Sequence, residues 1–361
     1  MKRVILCVTN DLENDQRVNR SALTLYENGY NVTVVGRKLK RSSKFVRQYK
    51  THRLRLLFSK KMWFYAEYNI RLFFYLCFRK ADIILANDLD TLSACWAVSK
   101  IKRCYLVYDS HELFTEVPEL VNRTRVKNVW LAIERFLVPK IDAGITVCQP
   151  IADIYQGKYG KHFEVIRNVP IPKENKQITN KIDQIIIYQG AINKDRGIEL
   201  LIEAMQYLQD YTLYIVGYGD LFSNIKQKVE DENLKNVTLT GHIPYDNLQE
   251  ITSKAVVGVS LEEDSGLNYR FALPNKIFDY IQAGIPVVVS NLPVMAELVK
   301  TYDIGEILYE RNPKTLAQTL KNTVEKYRSG YYSENISNAA KLLNWNVEKN
   351  KFLSIFATLI K

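Results

Sequence analysis

Hydrophobic and polar positions alternate along this chain in blocks that predict strands and helices in turn. Short apolar runs rich in β-branched residues predict strands at RVILCVT, NVTVVG, ADIILAND, CYLVYDSH, AGITVC and FEVIRNV. Helical patterns separate these runs, for example SALTLYENGY, where Gly29 ends the helix. Strands and helices that alternate over short links are typical of a parallel, doubly wound sheet.

A second series of the same kind follows. PIPKENKQITNKID is polar, carries two prolines and has no period, which predicts a linker over residues 170–182. Beyond it, QIIIYQG, TLYIVGYGD, NVTLTG, AVVGVSL and IPVVVS predict a second parallel sheet. We therefore expect two Rossmann-like α/β domains, residues 1–169 and 183–335, and an amphipathic helix in residues 336–361. Ligands of open α/β sheets bind beyond the carboxyl ends of the strands, so two facing sheets predict a ligand cleft between the domains.

Composition agrees with this organisation. A chain of 361 residues with 47% apolar and 25% charged residues suits two globular domains. No segment approaches the ~20 apolar residues of a membrane span, and the start MKRVILCVTND does not resemble a signal peptide. Five cysteines without CxxC or zinc-ligand spacing predict buried free thiols in a reducing compartment. We expect a cytoplasmic protein with no metal.

The net charge of +11 is concentrated in the N-terminal half. Residues 1–170 carry 29 Lys and Arg against 16 Asp and Glu, whereas residues 171–361 carry 21 against 23. Residues 37–61 contain eleven basic residues and no acid, and the aromatic stretch MWFYAEYNIRLFFYLCFRK follows directly. This combination predicts contact with an anionic membrane surface. A solvated basic face over core aromatics is the alternative; no nucleic-acid-binding motif is found, so we expect no such partner.

Two glycine-containing turns after predicted strands are candidate phosphate sites. GYGD places Gly217 and Gly219 after TLYIV, but the third glycine of the dinucleotide fingerprint is missing, so NAD is weakly supported. QGAINKDRG places Gly190, Lys194 and Arg196 between a strand and a helix. A helix N-terminus beside a guanidinium suits a diphosphate. The alternative is an ordinary strand-to-helix turn with exposed cations.

The segment ALPNKIFDYIQAGIPVVVS predicts a helix that begins at Pro274. Lys276 then lies in the first turn, where the helix dipole repels a cation unless an anion binds there. Asn275 and Asp279 are four residues apart and share a face with Lys276. Asp279 is placed to accept hydrogen bonds from ribose hydroxyls. A surface Lys–Asp pair of little energetic value is the alternative.

Polar residues also follow the predicted strands of the N-terminal half. VYDSHELF places His111 and Glu112 at a strand end, where the imidazole could bond a sugar hydroxyl or handle a proton. NDLENDQRV offers Asp15 and Arg17 at the start of the first long helix. NDLDT mimics a metal-binding DxD motif, but it caps a strand, and we interpret it as structural or acceptor-facing.

Taken in order, these segments resemble the GT-B glycosyltransferases of family 4 over the whole chain. The resemblance is carried by the NDxxxDxRV opening, ANDLDTL, YDSHELF, GAINKDRG, the GYG turn, GHIPYDNL and ALPNKIFDYIQAGIPVVVS. It implies a retaining transferase that uses a nucleotide-sugar donor and no metal. It also implies that the acceptor binds mainly the N-terminal domain, the nucleotide binds the C-terminal domain, and the last helix crosses back to the first domain.

The resemblance also assigns roles by position. Arg196 replaces the lysine that binds the pyrophosphate, and Asp279 stands where the second glutamate of the family holds the ribose. His111 matches the histidine that reaches the transferred sugar, while His242 and Ile243 match the segment that flanks the base.

The family's paired glutamates are eight positions apart, whereas the residue eight positions before Asp279 is Phe271. Glu262 and Glu263 lie earlier. The arginine expected just after Gly190 is replaced by Ala191, so Arg270 or Lys276 is expected to supply that charge. The expected set is catalytic His111, Arg196 and Lys276; donor-binding Gly190, Lys194, Gly217, Gly219, His242, Ile243, Glu263, Asn268, Arg270, Asn275 and Asp279; and acceptor-side Asp15, Arg17 and Glu112.

The function implied is transfer of a sugar from a nucleoside-diphosphate sugar to a hydroxyl of a lipid-linked or surface-glycan acceptor. The basic, aromatic N-terminal half favours a site at the cytoplasmic face of a membrane. Two alternatives stay open: a nucleotide-sugar epimerase of GT-B fold, and a catalytically inactive, glycan-binding GT-B subunit.

Overall fold

The computed structural model describes residues 1–13, 15–40, 42, 44–121, 123–172 and 184–360. They form two compact units, each with its own sheet. The first unit comprises Met1–Asn168 and Glu348–Lys361, and the second comprises Val169–Val347. Most of the predicted linker, namely residues 173–182, lies outside the described residues.

The first unit contains, in the described part of the chain, a parallel sheet of seven strands in the order β3-β2-β1-β4-β5-β6-β7. These strands are β1 (Arg3–Cys7), β2 (Asn31–Lys38), β3 (Lys50–Arg55), β4 (Ile83–Asn87), β5 (Tyr105–Ser110), β6 (Ala143–Thr146) and β7 (Phe163–Val165). In this register Leu6 pairs with Val34 and Leu85. Every residue of β4 is buried, as expected for an inner strand of a parallel sheet that is covered on both faces.

Helices connect the strands of this sheet. They are α1 (Gln16–Glu27), α2 (Lys61–Cys77), α3 (Leu89–Lys102), α4 (Pro118–Val121), α5 (Thr124–Leu137) and α6 (Gln149–Tyr159). Helix α1 begins after Asp15, whose carboxylate accepts a hydrogen bond from the Val18 N–H and caps the helix. The aromatic stretch that follows the basic segment forms α2, and it buries one stripe of side chains, Phe64, Tyr68, Leu72 and Leu76.

The second unit repeats the plan, with described strands in the order β10-β9-β8-β11-β12-β13. The strands are β8 (Ile185–Gln189), β9 (Thr212–Val216), β10 (Val237–Gly241), β11 (Val257–Ser260), β12 (Val287–Ser290) and β13 (Gly305–Leu308). The helices are α7 (Ile198–Ala204), α8 (Phe222–Asp231), α9 (Tyr245–Lys254), α10 (Leu267–Arg270), α11 (Asn275–Gln282), α12 (Pro293–Tyr302), α13 (Pro313–Arg328) and α14 (Ser333–Leu342).

In both sheets the strand order reverses beside the first strand, between β1 and β4 and between β8 and β11. Loops at the carboxyl ends of strands diverge at such a point, and ligands bind there. In the second unit, the residues that follow β8, β9, β10 and β11 meet at this edge. The prediction of two Rossmann-like α/β domains is confirmed, and the two edge strands β3 and β13 are additions to the predicted strands.

The C-terminal segment differs from the single helix predicted over residues 336–361. Helix α14 ends at Leu342, and a separate helix, α15 (Trp345–Ile360), follows. Asn344 separates the two helices. Its Nδ2 donates to two carbonyls at the end of α14, and its Oδ1 accepts a hydrogen bond from the Asn346 N–H at the start of α15. Only Glu348–Lys361 groups with the first unit.

Two contacts attach α15 to the first unit. Glu348 is fully buried and accepts a hydrogen bond from the Arg167 guanidinium at 3.0 Å. Phe356 packs edge-on against Tyr30, with ring centroids 6.2 Å apart. The predicted return of the last helix to the first domain is therefore confirmed, but it involves α15 and not the whole of residues 336–361.

The remaining expectations from composition can be compared directly. All five cysteines are free, but Cys77 and Cys104 are half-buried, so the prediction of five buried thiols is only partly right. No helix among the described residues has the length and apolar character to cross a membrane.

Candidate active site

The glycine turns predicted to approach a phosphate lie side by side at the carboxyl edge of the second sheet. Gly190 and Gly217 have φ angles of +134° and +149°, and a Cβ atom at Gly217 would lie 1.8 Å from the Gly190 carbonyl oxygen. A Cβ atom at Gly219 would lie 2.4 Å from Asn193 Oδ1. Only glycine fits this packing, which brings the loops after β8 and β9 into contact.

The N–H groups of Gly190 and Gly217 already have backbone acceptors. The Gly190 N–H donates to the Val216 carbonyl at 2.9 Å, and the Gly217 N–H donates to the Gly241 carbonyl at 3.0 Å. Neither N–H is therefore available to a diphosphate in this arrangement. Positive charge at this edge comes from side chains.

Two of the three predicted catalytic side chains meet on one carboxylate. Lys276 Nζ lies 2.9 Å from Glu262 Oε1, and Arg196 Nη1 lies 3.2 Å from the same oxygen. The Ser260 hydroxyl donates to the other oxygen, Oε2, at 2.7 Å. We call these four residues the Glu262 cluster. Glu262 is fully buried, and Lys276 is almost so.

Burial and charge act against each other in this cluster. Burial alone would raise the pKa of Glu262, but Lys276 and Arg196 together lower it to about 2. Burial lowers the pKa of Lys276; Glu262 opposes that shift and the like charge of Arg196 reinforces it. Two cations thus face one carboxylate in a site that is largely shielded from water, which leaves one positive charge in excess.

Aromatic rings hold both cations in position. Lys276 Nζ lies 4.2 Å from the centroid of the Tyr188 ring, and the Arg196 guanidinium lies 5.0 Å from that of Tyr269. The Tyr269 hydroxyl donates to the Lys194 carbonyl at 3.2 Å, which ties α10 to the turn after β8. The Lys194 side chain itself is exposed.

The start of α11 explains how Lys276 reaches this site. Pro274 precedes the helix with φ −64° and ψ 137°, so α11 begins one residue later than predicted, and Lys276, its second residue, lies in the first turn as predicted. A Cβ atom at Gly190 would lie 3.6 Å from Lys276 Cε, so the lysine runs along the glycine turn. The structure thus puts Lys276 beside Gly190, where the resemblance called for a cation.

Arg270, the other candidate for that charge, lies elsewhere. It pairs with Asp264 at 2.8 Å, and both side chains are about half exposed. Pairs of this kind contribute little to stability. Asn268, on the same short helix, is buried.

Asp279 lies one turn after Lys276 and is half-buried. Its Oδ2 accepts a hydrogen bond from Gln189 Nε2 at 2.8 Å, and Gln189 Oε1 accepts one from the Thr252 hydroxyl at 2.8 Å. The last residue of β8 therefore fixes the carboxylate that was predicted to bind a ribose. Asn275, on the same helix, is exposed.

A residue that the sequence did not single out supports the loop after β11. The Arg311 guanidinium donates to the carbonyls of Leu261 and Glu262 at 3.1 and 3.3 Å, and to the Ser290 hydroxyl at 2.7 Å. It also pairs with Glu263 at 3.3 Å. Arg311 lies in no motif, so only the fold could reveal this role. Glu263 remains about half exposed at the edge of the sheet.

The two residues predicted to flank the base follow β10. His242 is exposed and Ile243 is half-buried, and both come directly after Gly241, whose φ angle is +71°. They lie at the same carboxyl edge as the glycine turns, because β10 pairs with β9 in the parallel sheet.

In the first unit, the third predicted catalytic residue belongs to a separate cluster. His111 Nε2 lies 3.3 Å from Asp109 Oδ2, and its Nδ1 lies 3.2 Å from Asp88 Oδ2. Arg17 donates two bonds to Asp109, from Nη2 at 2.6 Å and from Nε at 3.0 Å. We call these four residues the His111 cluster. Both ring nitrogens are occupied by carboxylates in this arrangement.

Charge dominates this cluster as well. Burial would lower the pKa of His111, but Asp88 and Asp109 raise it to about 10, so the imidazole is protonated at neutral pH. Burial would raise the pKa of Asp109, but Arg17 and His111 hold it well below its usual range. A protonated imidazole donates hydrogen bonds and does not serve as a general base, which favours the first of the two roles predicted for His111.

The acceptor-side candidates have structural partners of their own. Asp15 caps α1, and its second carboxylate oxygen accepts from Asn10 Nδ2 at 3.1 Å. Arg17 is buried, and its guanidinium donates to both carboxylate oxygens of Asp109 from the interior of the unit. Glu112 is exposed. Their contact with an acceptor stays a prediction.

Asp88 and Asp90, the DxD-like pair, have different hydrogen-bond partners. Asp88, with a left-handed φ of +59°, holds His111, whereas Asp90 is buried and accepts from the Thr9 hydroxyl at 2.7 Å. Burial and the neighbouring charge of Asp88 raise the pKa of Asp90 to about 7. Within the described residues, no group of three or more His, Cys, Asp or Glu side chains could hold a metal ion.

Comparison with known families matches both halves of the chain. Residues 17–169 match the model for Glycosyltransferase Family 4, and residues 171–342 match that for Glycosyl transferases group 1. The chain belongs to glycosyltransferase family 4. Two solved structures share its GT-B fold over essentially its whole length. The sucrose-phosphate synthase of Thermosynechococcus elongatus has a TM-score of 0.79 and 17% sequence identity, and the match covers 100% of this chain and 99% of the other. Anabaena HepE in complex with UDP and glucose has a TM-score of 0.76 and 14% sequence identity, and the match covers 99% of this chain and 100% of the other.

Curated relatives match over shorter stretches. A chitobiosyldiphosphodolichol beta-mannosyltransferase of Yarrowia lipolytica is 30% identical over 130 residues, which is 34% of this family 4 chain and 27% of the relative. The chain spans less than half the length of the curated relatives it matches.

Proposed function

We propose that this protein transfers a sugar from a nucleoside-diphosphate sugar to a hydroxyl of a lipid-linked or surface-glycan acceptor, with retention at the anomeric carbon and without a metal. The Glu262 cluster carries the proposal. Its two cations lie beside the glycine turns at the carboxyl edge of the sheet, where ligands of this fold class bind.

The leaving group explains why two cations are needed. As the bond from the anomeric carbon to the diphosphate oxygen breaks, negative charge develops on the diphosphate. Lys276 and Arg196 are held in place before the reaction, so they stabilise that charge without reorganisation. The acceptor oxygen bonds to the anomeric carbon on the same face, and its proton passes to the released diphosphate. The cations serve in place of a metal in this scheme.

Glu262 is a positioning residue in this proposal. It neutralises half of the buried positive charge when no donor is bound, and Ser260 and Arg311 keep its carboxylate and backbone in place. The remaining charge is then free to attract the diphosphate. Asp279, fixed by Gln189, is the proposed ribose contact.

His111 is proposed to orient the transferred sugar, as the family resemblance implies. Its Nδ1 contact is with Asp88, which is partly exposed, whereas its Nε2 contact is with the buried Asp109. A sugar hydroxyl that displaces Asp88 would meet a protonated nitrogen fixed from behind by Asp109 and Arg17.

The acceptor side rests on two observations. The Yarrowia relative is named for a dolichol-diphosphate-linked substrate, and the first unit exposes apolar side chains of α2 next to basic residues. We propose a lipid-linked acceptor and peripheral contact with an anionic membrane, at its cytoplasmic face. Flotation of purified protein with vesicles tests this: binding that requires an anionic lipid and weakens with salt is expected, and no binding would refute membrane contact.

Purified protein distinguishes the proposed function from its rivals. A thermal-shift panel of UDP, GDP, ADP and CMP, followed by their sugars, identifies the donor, and a transfer assay in the presence of EDTA tests metal independence. Transfer to an acceptor supports the proposal. Conversion of the donor sugar without an acceptor would indicate an epimerase, and donor binding without turnover would indicate an inactive subunit. The inactive subunit is favoured by Phe271, which stands eight positions before Asp279, where the family has its first glutamate.

A further inference from the structure

A pocket of about 460 Å³ opens on the first unit at the amino ends of its strands. It lies at the opposite end of the strands from the His111 cluster, which follows the carboxyl ends of β4 and β5. The starts of β1, β2 and β3 and the end of α2 line it. Its charged and aromatic side chains are Arg3, Lys50, His52, Tyr75, Arg79 and Lys80.

The cations of this pocket are unequally paired. Arg3 is neutralised by Asp82 through two side-chain bonds, of 2.8 and 3.0 Å. Among the described residues, no ion pair involves Lys50, Arg79 or Lys80. Three positive charges that have no ion-pair partner in the described part of the chain thus line one concave surface, which is the electrostatic requirement for an anion site.

Aromatic stacking gives the pocket a fixed wall. The His52 ring stacks on the Tyr75 ring at 4.3 Å with an interplanar angle of 15°, and the Arg79 guanidinium lies 5.2 Å from the same tyrosine ring. Burial and the positive charge of Arg79 both lower the pKa of His52. These effects disfavour a charged His52, so Arg79 and the two lysines provide the positive charge.

The surface next to the pocket is apolar. Helix α2 buries one stripe of side chains, and large apolar side chains on its other side are more than half exposed, namely Trp63, Ile70, Phe74 and, directly after the helix, Phe78. Phe78 is 83% exposed and immediately precedes Arg79 and Lys80. The exposed stripe thus ends at the unpaired cations. Soluble proteins rarely expose several large apolar side chains on one face of a helix unless something covers them.

We propose that this pocket binds the phosphate of an anionic phospholipid headgroup, with Phe74 and Phe78 at the acyl boundary. This inference rests on the membrane contact proposed above and specifies its site and chemistry. A free phosphate would use the same three cations but would leave the apolar stripe uncovered. The stripe is the reason for committing to a lipid.

The test compares two variants of equal charge in vesicle flotation. The pocket variant is Lys50→Gln/Arg79→Gln/Lys80→Gln. The control is Lys235→Gln/Lys300→Gln/Lys341→Gln, which removes three exposed charges from the second unit. With phosphatidylcholine vesicles that contain phosphatidylglycerol, the pocket variant should lose roughly tenfold or more in apparent affinity, and the control about twofold at most. Phe74→Ser/Phe78→Ser should also weaken binding.

The outcomes separate the two proposals. If both triple variants lose affinity equally, net charge explains the binding, and the pocket assignment is overturned while membrane contact stands. If the wild-type protein ignores phosphatidylglycerol, membrane contact itself fails. A thermal shift with inorganic phosphate that the pocket variant loses, in a protein that does not bind vesicles, would identify a soluble phosphate ligand instead. Unchanged circular dichroism and nucleotide-induced thermal shifts establish that the variants fold.

Discussion

The two ion clusters hold similar groups in different proportions. The Glu262 cluster sets one carboxylate against two cations, and the His111 cluster sets two carboxylates against two cations. Counted over its own members, the first cluster therefore carries one positive charge in excess, whereas the second is balanced. A buried surplus charge is costly unless a ligand completes it, so the first cluster is suited to attract an anion and the second to hold an imidazole still.

The largest effect is expected from removing the surplus charge. Lys276→Ala and Arg196→Ala should each lower turnover by roughly 10²–10³-fold, because they remove charge that stabilises the leaving diphosphate. Steady-state rates of donor consumption measure this, and circular dichroism checks the fold. Lys235→Ala is the control, since it removes an exposed cation of the second unit that is assigned to no site. Near wild-type turnover in both cluster variants would refute the catalytic role of the Glu262 cluster.

The balanced cluster should respond in stability. Arg17→Met removes the cation that bonds Asp109 twice and leaves a fully buried carboxylate underpaired. We expect a loss of roughly 3 kcal/mol in the free energy of unfolding, measured by urea denaturation. Asp109→Asn/Arg17→Met should recover part of that loss, because no uncompensated charge stays buried. A loss below about 1 kcal/mol in the single variant would show that the cluster is not tightly coupled.

A smaller effect is expected from pH. The folded pKa of His111 is raised to about 10, so its stabilising contribution is fully present below its unfolded pKa of 6.5 and is lost as pH rises towards 10. Asp109 has a lowered folded pKa, so its contribution is present above its unfolded value of 3.8 and is lost only in stronger acid.

Between pH 6.5 and 10 the wild type should therefore lose roughly 2–3 kcal/mol, after allowance for the partial exposure of His111. His111→Asn should flatten this decline. His162→Asn, an exposed histidine that also pairs with a carboxylate, should leave it unchanged. An unaltered alkaline decline in His111→Asn would contradict a protonated His111.

The smallest effect should come from the exposed pair near the Glu262 cluster. Arg270→Ala breaks only the half-exposed bond to Asp264, and we expect less than about 0.5 kcal/mol in stability and no more than a few-fold change in turnover. Arg311→Ala, by contrast, removes the hydrogen-bond donor of two loop carbonyls and should lower the free energy of unfolding by roughly 1–2 kcal/mol. A large loss of activity in Arg270→Ala would mean that Arg270 contacts the donor after all.

Strands with continuous apolar runs were predictable because burial on both faces demands such runs. The edge strand β3 reads KTHRLR, and only Leu54 is buried, so no apolar run marks it. In the short β13, GEIL, only Gly305 and Leu308 are buried, and the run is too brief to stand out. Edge strands have one exposed side, so their sequences carry less of the signal that burial imposes.

The sequence by itself determined the two parallel sheets, the glycine turns and the presence of Lys276 at a helix start. Each of these depends on local periodicity or local backbone conformation. Only the tertiary structure showed that Glu262 lies between Arg196 and Lys276, which are separated from it by 66 and 14 residues. Pairing of buried charges depends on which loops the sheet order brings together, and no local pattern in the chain records that choice.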